Sequence, residues 1–219
     1  MPLVLYAHPF SSYCWKVLIA LYENRTEFTY RSLGPQDPQA AVELAALWPL
    51  KKFPVLVDDG RPIIESSVII EYLALRHPGS IALVPADPMA ALEARFLDRF
   101  FDNYVMTPMS KVVGNQLRPE GQRDPFGVEE AKTALDAAYR WLEVLLAGRT
   151  WATGEEFTMA DCAAAPSLFY ADWTHPIDVA YSNVRDYRAR LLARPSVARA
   201  VNEARPFRAY FPLGAPDRD

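Results

Sequence analysis

The chain has 219 residues, of which 51% are hydrophobic, and a formal net charge of −4. That length allows one large domain or two small ones with a sizeable core. An acidic balance without a Lys/Arg run argues against nucleic acid as a partner, and no apolar run reaches the ~20 residues of a membrane span.

Leu3-Val4-Leu5-Tyr6 reads as a buried strand. Over 12–23, apolar Cys14, Val17, Leu18 and Leu21 recur at i, i+3, i+4 and i+7, which predicts a helix. Glu27-Phe28-Thr29-Tyr30 alternates as a second strand, and Ala40–Leu47 predicts a short helix closed by Trp48-Pro49. Val55-Leu56-Val57 and Pro62-Ile63-Ile64 flank Asp58-Asp59-Gly60, the chemistry of a hairpin turn. Ser66–Arg76 is helical, with Ile69, Ile70 and Leu73 on one face, and His77-Pro78-Gly79 ends it. The order βαβαββα joins a parallel pair, from the crossover, to an antiparallel hairpin. It predicts a thioredoxin-like α/β domain over 1–78. Residues 79–88 have no periodicity, carry Pro85 and Pro88, and read as a linker. Beyond it every segment reads helical, about 89–116, 128–147, 159–172, 184–193 and 196–204, so 89–219 is expected to be an all-α bundle.

Two cysteines give no disulfide framework. The N-terminus lacks a basic leader followed by an apolar stretch, so a cytoplasmic protein is expected. His8, His77 and His175 lie far apart, without metal-ligand spacing to either cysteine, and no metal site is expected.

Ser11 and Ser12 precede the first helix, whose unpaired N–H groups and dipole favour an anion. One hydroxyl can cap the helix while the other donates to a bound thiolate. Cys14 falls on the apolar face and reads as a small buried hydrophobe. A Cys-x-x-Cys redox motif would span Ser11 to Cys14, but only the inner cysteine is present. Dithiol exchange by that pair is excluded, and a reactive sulfur has to arrive with a ligand. Pro54 either opens an edge strand, or a cis bond there exposes the Phe53 N–H and C=O to an extended ligand. Ser66 reads as the N-cap of the third helix. Alternatively, the same terminus binds a ligand carboxylate while Glu65 meets its ammonium. Thr158-x-x-Asp161 forms a capping box with Phe157 and Cys162 at the staple positions, which makes Cys162 buried and inert.

In order and spacing these pieces resemble the cytosolic glutathione transferase family over nearly the whole chain. The resemblance rests on the Ser-rich turn with Trp15-Lys16-Val17, on Phe53-Pro54-Val55, on Glu65-Ser66 and on the capping box at Thr158 to Asp161. Ser11 to Val17 looks most like the zeta-class run, with Tyr13 in place of a cysteine and Lys16 in place of an arginine. The resemblance implies glutathione as co-substrate, no metal and a homodimer. It places Ser11, with Ser12 beside it, at the glutathione sulfur. Lys52, Phe53, Pro54, Glu65 and Ser66 would hold the rest of the tripeptide. A small hydrophobic electrophile would bind nearby, with Phe10, Phe100, Phe101 and Tyr104 as candidate lining, although these aromatics could equally be core or dimer contacts.

The implied chemistry is thiolate activation. Lowering a thiol pKa by ~2 units takes ~2.7 kcal/mol. A charge-assisted hydrogen bond supplies ~1.5–3 kcal/mol and a helix terminus ~0.3–1 kcal/mol, so the sum suffices. Alternatives on the same fold are a glutathione-dependent isomerase, a reductive dehalogenase and a non-catalytic ligand- or protein-binding member.

Overall fold

The computed structural model describes residues 3–219. Four strands form one mixed sheet in the order β2-β1-β3-β4. β1 (Leu3–Ala7) runs parallel to β2 (Phe28–Ser32), as the intervening helix requires. β3 (Val55–Asp58) is antiparallel to both β1 and β4 (Arg61–Ile64). The hairpin turns on Asp59 and Gly60, both at positive φ, the two-residue geometry that the Asp-Gly pair favours.

α1 (Ser12–Glu23) and α3 (Ser66–Arg76) cover one face of the sheet, and α2 (Pro38–Leu47) covers the other. Alternate side chains Leu3, Leu5 and Ala7 of β1 point into the α1/α3 face, the period of two expected of a strand. The thioredoxin-like fold read from the sequence is thus the fold observed.

Irregular chain from His77 to Asp87 leads to the helical part. There α4 (Pro88–Phe100) passes through one widened π-turn, Phe101–Met106, into α5 (Thr107–Gln116). The sequence predicted one uninterrupted helix over this span. Pro108 explains the difference. Its ring would strike the carbonyl four residues back in α-register. In the widened register the Thr107 N–H reaches the Asp102 carbonyl five residues back, and the Thr107 hydroxyl donates to the same oxygen at 2.9 Å. α6 (Pro125–Leu145), α7 (Met159–Thr174), α8 (Ser182–Ala193) and α9 (Pro195–Ala204) complete the bundle.

α7 is the buried axis of the bundle, with every residue from Met159 to Trp173 buried. Its N-terminus is the anticipated capping box: Asp161 accepts from the Thr158 N–H at 2.8 Å, and the Thr158 hydroxyl accepts from the Ala160 N–H at 3.3 Å. Asp161 also takes the Ala152 N–H at 2.9 Å and the Tyr187 hydroxyl at 2.6 Å. α1 packs on α7, with Trp15 between Phe169 and Tyr170 at 5.0 and 5.4 Å between ring centroids. Trp15, Ile19, Ala20 and Ile70 of the sheet-bearing half therefore belong to the same apolar core as the bundle. No helix among the described residues is long and apolar enough to cross a membrane.

Candidate active site

The first turn of α1 divides two cavities. Ser11 occupies the N-cap position in extended backbone, and its Oγ accepts the Cys14 N–H at 3.4 Å. The same hydroxyl is also within hydrogen-bond reach of the Cys14 thiol, whose pKa that contact pulls down against the larger effect of burial. Ser12 is the first helical residue. Both serines line a cavity of about 380 Å³, whereas Tyr13 lines its neighbour of about 350 Å³. Ser11 is the cap that the sequence anticipated from one of the two serines, and Ser12 stands beside it on the same cavity wall.

The 350 Å³ cavity brings together Lys52, Phe53, Pro54, Glu65 and Ser66. The Phe53–Pro54 bond is cis. Glu65 sits at φ 73°, ψ 121° in the cap position of α3, so Ser66 is the first helical residue rather than the N-cap the sequence suggested. A non-glycine residue held at positive φ costs ~1–3 kcal/mol, and such outliers cluster at binding sites. Here the bend aims Glu65 and the first N–H groups of α3 at the same space. Ser66 is buried and Glu65 exposed.

The opposite wall is Tyr13, Arg99, Asp102 and Asn103, which the sequence reading did not single out. Behind them lies a charge cluster joining the two halves of the chain. The Lys16 ammonium is completely buried and meets Asp98 at 2.9 Å, Asp102 at 2.7 Å and the Ser67 hydroxyl at 2.9 Å. Ser67 donates to Asp98 at 2.7 Å, and the half-exposed Arg99 pairs with Asp98 and Asp102. Two carboxylates thus face two cations. Burial nevertheless raises the Asp102 carboxyl, against the opposing pull of Lys16 and Arg99. One Asp102 oxygen, Oδ1, is buried without a hydrogen-bond partner.

The 380 Å³ cavity is apolar. Phe10, Met109, Val113, Leu117, Tyr170 and Phe211 form most of its wall, with Ser110 and Tyr210 at its polar points. Phe10 lines this cavity; the Tyr170 hydroxyl donates to its carbonyl at 2.9 Å, and the rings meet edge to face at 5.4 Å. Phe100, Phe101 and Tyr104 line neither cavity. Phe101 is completely buried in the bundle core. Phe100 packs against Trp141 of α6 and Tyr104, with ring centroids 4.3 and 5.3 Å away and both pairs tilted. The lining comes instead from the next turns of the long helix and from a C-terminal segment that closes over it.

Neither cysteine is a nucleophile here. Cys14 is fully buried and its thiol is pushed up to about 12, chiefly by burial; Cys162 is buried and raised likewise. No group of three or more potential metal ligands lies together among the described residues.

Comparison with known proteins agrees with this architecture. The family model for the glutathione S-transferase N-terminal domain matches residues 5–80, and the C-terminal domain model matches residues 125–190. A probable maleylacetoacetate isomerase of Caenorhabditis elegans is 31% identical over 77% of this chain and 78% of its own. Glutathione S-transferase U22 of Arabidopsis thaliana is 31% identical over 66% of this chain and 62% of its own. The crystal structure of a glutathione S-transferase from Methylobacillus flagellatus with GSH bound superposes with a TM-score of 0.82 at 28% identity, covering 90% of this chain and 98% of that one. With both domain models matched and the fold shared throughout, the chain belongs to the glutathione transferase family.

Proposed function

We propose that the 350 Å³ cavity holds glutathione and that Ser11 donates a hydrogen bond to its thiolate, which attacks an apolar electrophile in the 380 Å³ cavity. The observation that carries this is the division of the two cavities by one helix N-terminus, with the Ser11 and Ser12 hydroxyls on the wall of the apolar one. Ser12 stands next to it as the second hydroxyl. On this reading Phe53 and Lys52 meet the cysteinyl and glycyl units. Ser66 and the α3 N-terminus take the γ-glutamyl carboxylate. Its ammonium meets the exposed Glu65.

The chain is proposed to act as a cytoplasmic homodimer without a metal. Phe96, Tyr104 and Trp141 leave a half-exposed aromatic patch on α4, the π-turn and α6, with Phe96 and Trp141 edge to face at 6.0 Å, and this patch fits a second copy. Glutathione-dependent isomerisation is the second reading, favoured by the relative named for that activity.

Calorimetric titration with glutathione tests the site. Micromolar to millimolar binding, weakened at least tenfold by Ser66→Ala, is the expected result. Ser11→Ala should cut kcat/KM ~10²-fold, the scale of one lost oxyanion-type donor, while raising the pKa of the bound thiol. Unchanged turnover by Ser11→Ala overturns its assignment.

A further inference from the structure

A third cavity opens at the edge of the sheet. The ladder ends at β2, the outermost strand, and α9 supplies the facing wall. Between them lies a space of about 370 Å³ lined by Pro9, Tyr22, Phe28, Tyr30, Arg199 and Glu203. Phe28 and Tyr30 stand two apart on one strand and so share a face. Their ring centroids are 6.2 Å apart, and Tyr22 continues the row 6.2 Å beyond Phe28. The Arg199 guanidinium lies 3.8 Å from the centre of the Tyr22 ring.

The polar side chains of this cavity are donors without acceptors. The Tyr30 hydroxyl is buried with no hydrogen-bond partner among the described residues, an uncommon state in a folded chain. Arg199 gives its Nε–H to Glu203 at 2.9 Å, and its two terminal nitrogens donate to no described residue. The one carboxylate on the wall is already engaged: Glu203 takes Arg199 on one oxygen and the Tyr22 hydroxyl on the other, at 2.6 Å. The Pro9 carbonyl takes the Trp15 indole N–H at 2.5 Å. A ligand bearing acceptors therefore completes the hydroxyl and the guanidinium together, whereas a cation meets Arg199 with no free carboxylate to offset it.

We infer that the cavity between β2 and α9 binds a flat aromatic acid. Its ring lies against Phe28 and Tyr30, in the offset or edge-on contacts that aromatic pairs prefer. Its carboxylate accepts from the Tyr30 hydroxyl and from the terminal nitrogens of Arg199, bonds strengthened by the charge they carry. The site asks for no covalent step. It retains its ligand, and its occupancy does not depend on glutathione.

The test is calorimetric titration of the full chain with 2-naphthoate and with 2-naphthylmethylammonium, the same ring bearing the opposite charge. The acid should bind about tenfold more tightly than the ammonium, the scale of one charge-assisted hydrogen bond. Tyr30→Phe removes the unpaired oxygen and Arg199→Gln the charge, and each should weaken the acid about tenfold. Tyr30→Phe should leave the melting temperature unchanged or higher, because the oxygen it deletes bonds to nothing in the free protein. Ser110→Trp, which puts bulk into the apolar cavity, should leave naphthoate binding as it is. No binding of the acid, equal binding of acid and ammonium, an affinity that neither site variant moves, or loss of binding in Ser110→Trp overturns the inference. A clear fall in the melting temperature of Tyr30→Phe overturns it as well, since the hydroxyl would then have a partner.

Discussion

Replacing Lys16 by methionine probes the contact that most depends on the two halves of the chain being packed together. The ammonium is wholly buried and touches Asp98, Asp102 and Ser67 within 2.7 to 2.9 Å. Methionine keeps the volume and removes the charge, leaving two buried carboxylates with only the half-exposed Arg99 to face them. Removing one partner of a buried ion pair costs ~3–5 kcal/mol, because the remaining charge stays desolvated. In a chain of this size each kcal/mol moves the melting temperature by ~2–4 °C, so a fall of ~6–20 °C is expected.

The loss should depend on pH. The Asp102 carboxyl is already raised by burial and is held down by Lys16. Without that cation it rises further above its unfolded value. A carboxyl raised in the folded state binds protons there preferentially, so stability is lost as pH climbs through the interval between the two values. The variant's deficit should therefore be larger at pH 8 than at pH 5. Thermal melts of both proteins at pH 5, 6.5 and 8, followed by circular dichroism, measure this. A midpoint within about 2 °C of the parent at every pH, well under the shift a broken buried pair produces, would refute the reasoning. A deficit that grows on acidification would do the same.

Asp161→Ala should destabilise by ~3–5 kcal/mol, because it strands the buried Ala152 and Thr158 N–H groups and the Tyr187 hydroxyl at once; chemical denaturation gives the value. Glu65→Gly relieves the positive φ and should gain ~1 kcal/mol in stability, while weakening glutathione binding several-fold; a variant that is both less stable and equally tight contradicts the role given to that bend. Both thiols should stay unmodified by an aromatic disulfide reagent at pH 8 in the native state, Cys14 because burial lifts it to about 12 and Cys162 because burial raises it well above the ordinary thiol range. Rapid release of one equivalent would mean that the α1 face opens.

The sequence was most informative where a rule is local. The Asp-Gly turn, the capping box at Thr158 and the spacing of Cys14, Val17, Leu18 and Leu21 each follow from chemistry within a few residues, and each is found as expected. The cavity beside Glu65 and Ser66 was legible because its motifs are short and sit at helix ends. The wall of the apolar cavity was not. Phe10 meets Tyr170 across 160 positions, and Tyr210 and Phe211 arrive from the far end of the chain, a distance that no periodicity encodes. Phe100 and Phe101 misled because aromatic residues on a long helix signal burial without saying against what; here they serve the bundle and its outer face. Arg99 and Asp102 were hidden for a related reason, since their partner Lys16 lies 86 positions from Asp102.

The widened turn at Phe101–Met106 separates two tasks along one rod. Upstream of it, Arg99 lines the charged cavity and Asp98 pairs with it from behind; downstream, Met109, Ser110, Val113 and Leu117 line the apolar one. A residue added to or taken from an α-helical turn rotates everything beyond it by ~100° and shifts it by ~1.5 Å. A turn that already holds five-residue bonds can absorb such a change where a regular turn cannot. The second half of the rod can therefore be re-aimed, presenting a different set of side chains to the apolar cavity, while the half that lines the charged cavity keeps its register against Lys16.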